Sequence, residues 1–173
     1  DWYHGDDWER FWAHEAEEIE YKCSGLLKDI SREEHKRIAL FGFAPMPSLI
    51  KLGTILNNKY EVEVYQKQRH GGWAWPERDK YIDFKFEKVQ TGNDGAVLVM
   101  SLSFPILTRV IEARKDANIW HITLDDPNPD FLSAKSMLYD FGRVVESALD
   151  TISKECSKNP IDLYLAVPIA CAI

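Results

Sequence analysis

Four residues in one short stretch could hold an anionic, aromatic ligand: Lys67, Arg69, Trp73 and Trp75, in the run KQRHGGWAW. Lysine and arginine supply donors for phosphate, and arginine can do so with two parallel bonds. Indole faces accept nucleobases by stacking, a contact of about 1–3 kcal/mol per base. Gly71 and Gly72 stand between the charges and the rings, where a loop free in its backbone can fold over a ligand. In a strand, Trp73 and Trp75 would instead share one face and belong to a core, with the charges merely solvated. Signs of catalysis are few. The histidines at 4, 14, 35, 70 and 121 make no metal-ligand array, no GxSxG elbow exists, and Gly71-Gly72 is not a phosphate loop of the GxxxxGK[ST] kind. Asp125 and Asp126 form a carboxylate pair, but the run DDPNPD is accounted for by turn chemistry.

The elements that must position these residues run from Ile38 to Trp75. Ile38–Ala44 is a continuous apolar run and predicts a strand buried on both faces. Pro45-Met46-Pro47 breaks it into a loop, since proline brings no ladder N–H. Leu49, Ile50, Leu52, Ile55 and Leu56 fall on one side of a helix, which Asn57-Asn58 stops. Tyr60, Val62 and Val64 alternate with Glu61 and Glu63 as in a second strand. Such strand–helix–strand units are parallel and right-handed, and open parallel sheets take ligands outside the carboxyl ends of their strands. Both the PMP loop and the cationic segment would lie on that rim. The ending DLYLAVPIACAI matches ALFGFAPMPSLI at Ala39–Ile50 in strand–proline–helix order, which points to an internal repeat.

Elsewhere, Asp6–Ile30 has the apolar stripe of a helix, with Asp6 and Glu9 resembling a capping box; Ser31–Glu34 is a second such box. Tyr81–Val89 alternates and Ala96–Ser103 is apolar. The five residues Thr91–Gly95 between them predict an antiparallel hairpin. Ser103-Phe104-Pro105 opens a helix, Asn118–Leu124 is a strand, and Ser133–Cys156 is the clearest helix of the chain, ended by Asn159-Pro160 before a final strand. Strands alternating with helices give an α/β fold with a mostly parallel sheet, flanking helices and one antiparallel hairpin.

At 173 residues with 45% hydrophobic and 28% charged side chains, the chain is ordinarily globular and long enough to bury an ample core. Residues 1–34 hold eleven acidic and four basic side chains, an excess equal to the whole net charge of −7. The remainder is neutral, so a basic rim is compatible with an acidic total that argues against a general nucleic-acid coat. Cys23, Cys156 and Cys171 are far apart and read as reduced core residues of a cytoplasmic protein. No signal peptide or membrane span is legible. Starting at Asp1 and stopping inside an expected helix, the sequence reads as a piece of a longer protein.

The strand, proline-broken loop, LIKLGTIL helix, YEVEVYQ strand and tryptophan stretch together resemble the SAVED domain. The likeness is best over Ile38–Ser103 and next over Ile161–Ile173. It implies a CARF-like sensor of bacterial antiphage (CBASS) systems, two Rossmann-like halves with a cyclic oligonucleotide in the cleft at their junction. Implied boundaries are 1–36 for an N-terminal helical segment, 37–130 for the first half, and 131–173 for the long helix and the truncated start of the second. Pro45, Met46 and Pro47 would floor the pocket, Lys67 and Arg69 meet phosphates, and Trp73 and Trp75 stack bases. Ser103 and Phe104 would add a donor and an apolar wall, with Pro168 and Ile169 closing the junction. The resemblance further implies a cyclic di- or trinucleotide as ligand, no cofactor or metal, no catalysis, and no direct nucleic-acid binding by this region. Self-association on binding would activate a fused effector, commonly a nuclease, outside this chain. A ring nuclease using Lys67, Arg69 and Ser103, and an interaction scaffold on the long helix, are the other readings of the same residues.

Overall fold

The computed structural model describes residues 7–30, 37–56, 60–69, 71–76, 79–156 and 160–173. Asp6, the Ser31–Glu34 box, Asn57-Asn58, His70 and Asn159 lie outside them. The chain divides into two compact units, one ending at Tyr65 and joined by Ala172–Ile173, the other Gln66–Cys171.

In the first unit, helix α1 (Trp8–Ile30) starts at Asp7, whose carboxylate accepts the Arg10 N–H at 3.1 Å. Strand β1 (Arg37–Phe41), helix α2 (Met46–Leu56) and strand β2 (Glu61–Tyr65) follow. β1 and β2 pair in parallel, Arg37 opposite Glu61 through Phe41 opposite Tyr65, as the strand–helix–strand pattern requires. The Phe41 and Tyr65 rings stack at 4.7 Å. Two expectations are corrected. β1 is not buried on both faces: its residues alternate between exposed and half-buried, and Phe43 beyond it is 85% exposed. A two-stranded sheet cannot cover both faces of a strand. Nor are Met46 and Pro47 in a loop; they form the first turn of α2, where a missing N–H breaks no helical bond.

The second unit is a four-stranded sheet in the order β3-β5-β4-β6, from β3 (Lys85–Gln90), β4 (Ala96–Ser101), β5 (Asn118–Thr123) and β6 (Ile161–Ala166). Helix α3 (Leu107–Ala113) joins β4 to β5, and α4 (Lys135–Cys156) joins β5 to β6. β4 is buried at all six positions and is parallel to both neighbours. Val97, Val99, Ile119 and Val110 make one core layer with Ile106, Leu107 and Ile111. On the other face, Lys88 lies over the Trp120 ring and reaches Glu155 of α4 at 2.7 Å.

The expected hairpin is the main correction. β3 is antiparallel, but its partner is β5, with Lys85 opposite Thr123 and Phe86 opposite Ile122. Two strand spacings amount to roughly 10 Å. Five residues extend to about 16 Å, so a short connection does not force β3 against β4. The alternating β3 takes the edge, and the apolar β4 and β5 take the interior. The expected opening of a second half likewise supplies an edge strand, β6, bonded along β4. No helix among the described residues is long and apolar enough to cross a membrane.

Candidate functional site

The wiring of the second unit creates a crevice. From β4 the chain passes through α3 to β5 on one side, then through α4 to β6 on the other. Connections therefore diverge at the carboxyl end of β4, the topological switch point where doubly wound sheets open to ligands. Ala166, the last residue of β6, accepts the N–H groups of Leu102 and Ser103 at 3.0 and 2.7 Å. This ties the two strand ends together. Ser103 and Phe104 follow β4, and Pro168 and Ile169 follow β6, so four of the residues named from sequence stand at one place. Ser103 and Pro168 are buried, Ile169 is half-buried, and Phe104 is 55% exposed.

The segment after β2 is fastened to the same end of this sheet. Gln66 Oε1 accepts the Ala170 N–H at 3.0 Å, just beyond Ile169. Gln68 Nε2 donates to the Leu132 carbonyl at 3.4 Å, and Arg69 Nε lies 3.4 Å from Asp130, both in the β5–α4 connection. The segment then turns on itself, with the Gln68 N–H on the Gly72 carbonyl and Lys67 Nζ on the Gly71 carbonyl. Lys67 and Arg69 are exposed; Gln66 and Gln68 between them face the protein. Sequence reasoning passed over the two glutamines, although their alternation with cations is a strand-like signal. Trp73 and Trp75 are half-buried, and the buried Nε1 of Trp75 has no acceptor among the described residues.

Pro45, Met46 and Pro47 belong to the first unit, with both prolines exposed and Met46 half-buried. A separate cleft of about 300 Å³ lies between Tyr81–Phe86 and the α4 residues Asp140, Arg143 and Ser147. It is on the β3 side of the sheet and takes in none of the residues named from sequence. Among the described residues no group of three metal-ligating side chains gathers.

Beneath the crevice lies a polar cluster that sequence reasoning missed. His121 Nε2 is 2.9 Å from Ser101 Oγ, with both side chains buried, and Thr123 Oγ1 donates to the Ser101 carbonyl at 3.0 Å. Twenty residues separate Ser101 from His121, and only the parallel register of β4 and β5 brings them together. Burial pushes the His121 imidazole below its ordinary 6.5, against the opposing pull of the Glu87 carboxylate. A base whose folded pKa is depressed contributes its full share of stability above the unfolded value. That share is lost as pH falls from about 6.5 through the folded value. The melting temperature is therefore expected to fall on acidification below that point, and His121→Gln to remove this part of the fall. Parallel melting curves at pH 7.5, 6.5 and 5.5 check it; identical pH dependence in the two proteins is the contrary result.

The family model for SAVED, the SMODS-associated and fused to various effectors sensor domain, matches residues 20–173. The chain belongs to this family. Among solved structures, the SAVED fold found here is similar to the Acinetobacter baumannii Cap4 SAVED/CARF-domain containing receptor with the cyclic trinucleotide 2′3′3′-cAAA. The similarity has a TM-score of 0.60 at 12% identity. The same receptor with 3′3′3′-cAAA matches equally, at a TM-score of 0.60 and 12% identity. Each match covers 98% of this chain and 38% of the receptor, so the SAVED chain spans well under half of its neighbours' length. No curated protein sequence matches it. The Rossmann-like, mostly parallel architecture expected from sequence is thus that of a SAVED/CARF-type fold.

Proposed function

We propose that this SAVED domain is a non-catalytic sensor that binds a cyclic di- or trinucleotide at the carboxyl end of the β3-β5-β4-β6 sheet. Membership of a sensor family carries this reading. Support comes from neighbours of the same fold that are receptors with cyclic trinucleotides, and from the convergence of Ser103, Phe104, Pro168 and Ile169 at the switch point. In the proposal Ser103 and Phe104 give a polar donor and an apolar wall, Lys67 and Arg69 meet phosphates, and Trp73 and Trp75 stack bases. Pro45, Met46 and Pro47 complete the floor. Residues 37–130 and the segment from 131 act as successive CARF-like parts, and binding drives self-association that activates a fused effector in antiphage defence.

Arg69 is held by Asp130 before any ligand arrives, but both side chains are more than half exposed. Surface pairs of this kind contribute about 0–1 kcal/mol, whereas a charge-assisted bond to phosphate is stronger. Arg69→Ala is expected to weaken binding of 3′3′3′-cAAA roughly tenfold, the measure of one hydrogen bond to a charged group. Asp130→Asn, which frees Arg69, leaves binding equal or tighter. Neither variant shifts the apo melting temperature by more than a few degrees. A thermal-shift and titration panel of cyclic di- and trinucleotides, run on the longer protein that holds this domain, tests the reading; no shift with any of them overturns it. Incubation of the same samples and analysis for linear products separates a sensor from a ring nuclease. The only serine–histidine contact among the described hydrogen bonds is buried, with Ser101 1% exposed, which favours the sensor.

A further inference from the structure

Ser101 is the last residue of β4, and its hydroxyl joins three elements. Its Oγ accepts the N–H of Ile106 at 3.3 Å and meets His121 Nε2 of β5 at 2.9 Å. Ile106 is the N-cap of α3 and has no side-chain cap of its own. Between Ser101 and Ile106 runs the loop Leu102–Pro105, which carries Ser103 and Phe104. At its first end the amides of Leu102 and Ser103 are held by Ala166. Pro105 has no N–H. The return of the loop into α3 therefore rests on the Ser101 hydroxyl.

A serine hydroxyl rotates freely about its C–O bond unless its hydrogen is directed. It can serve Ile106 only with a lone pair, so its hydrogen must point elsewhere. Burial disfavours charged His121, and a neutral ring offers Nε2 as an acceptor for that hydrogen or, in the other tautomer, as a donor to the second lone pair. In both arrangements a lone pair is left facing Ile106. We infer that His121 is a positioning residue for the ligand site, acting through Ser101 to hold the β4–α3 loop and with it Ser103 and Phe104. The site role rests on the functional reading above; the hold on the loop does not. Glu87, opposite His121 on β3, is the charged group felt by the ring. Ser101 itself is too deeply buried to touch a ligand.

The test compares His121→Leu, which keeps bulk, with His121→Gln, whose terminal amide can donate or accept at the place of Nε2. Amide exchange without ligand is the first measurement. His121→Leu should speed exchange of the Ile106 amide roughly tenfold, the scale of one lost hydrogen bond, while the amides of Val97–Met100 in the interior strand stay as protected as before. His121→Gln should return Ile106 close to the wild-type rate. Titration with 3′3′3′-cAAA is the second: the leucine variant should bind roughly fivefold more weakly, again on the scale of one bond, with the glutamine variant near wild type. If His121→Leu does not fold, Ser101→Ala removes the hydroxyl without added bulk and must give the same loop-confined change. Unchanged Ile106 exchange, a uniform rise at all amides, or failure of glutamine to rescue overturns the inference. A wild-type protein that binds no cyclic nucleotide overturns the functional reading instead, and the exchange rates still decide whether His121 holds the loop.

Discussion

Alanine at Gly92 is expected to lower stability by about 2–4 kcal/mol, as forced overpacking does when it also breaks neighbouring hydrogen bonds. A Cβ at this position would stand 2.0 Å from the Asp116 carbonyl oxygen and 2.4 Å from its carbon. Those atoms are backbone, so no rotamer change relieves the clash. The same carbonyl accepts the N–H groups of Asn93 and Asp94 at 2.7 and 2.8 Å. Asn118 holds the corner from the other side, through the carbonyl and N–H of Gly92. Moving Asp116 away therefore loosens the connection that carries the chain from β3 past β5 into β4. For a chain of this length the change corresponds to a melting temperature lower by roughly 5–15 °C. Gly25→Ala is the control of opposite sign. It lies inside α1 with nothing within 4 Å of the added carbon, so alanine should stabilise by up to about 1 kcal/mol. Urea midpoints of both variants check the pair. A Gly92→Ala protein as stable as wild type would mean that the corner does not sit against Asp116.

Trp75→Ala should weaken binding of a cyclic trinucleotide by about 1–3 kcal/mol, the range for a lost base stack. That is roughly five- to 150-fold in dissociation constant. The ring is half-buried rather than enclosed, so its removal leaves less of a cavity than the ~3–5 kcal/mol of a core tryptophan. Affinity should fall further than stability. Trp75→Phe separates two parts of the contribution, since phenylalanine keeps a face for stacking but has no N–H. Recovery of most of the affinity assigns the effect to stacking. Failure to recover assigns it to the Nε1 donor, which lacks an acceptor among the described residues. Unchanged affinity with a collapsed urea midpoint would make Trp75 a core residue and remove it from the site.

Element types and most boundaries were legible in the residues because they follow local periodicity. The six-residue apolar run of β4, the heptad-like stripe of α4 with Met137, Phe141, Ala148 and Ile152 buried, and the parallel pairing of β1 with β2 all correspond to patterns one segment long. The residue types fit for phosphate and base were legible for the same reason, since the side chain alone sets what Lys67, Arg69, Trp73 and Trp75 can donate or stack. Neighbourhood was not. That β3 lies beside β5 rather than β4 depends on which strand best fills the interior of a sheet, a competition among segments up to 38 residues apart in register. That Ser101 and His121 meet, that Gln66 reaches Ala170, and that Ser103 comes beside Pro168 all follow from strand order. Strand order is decided by burial of apolar faces over the whole unit. A local pattern specifies an element because its hydrogen bonds close within it; a site drawn from three strand ends exists only once the sheet has closed.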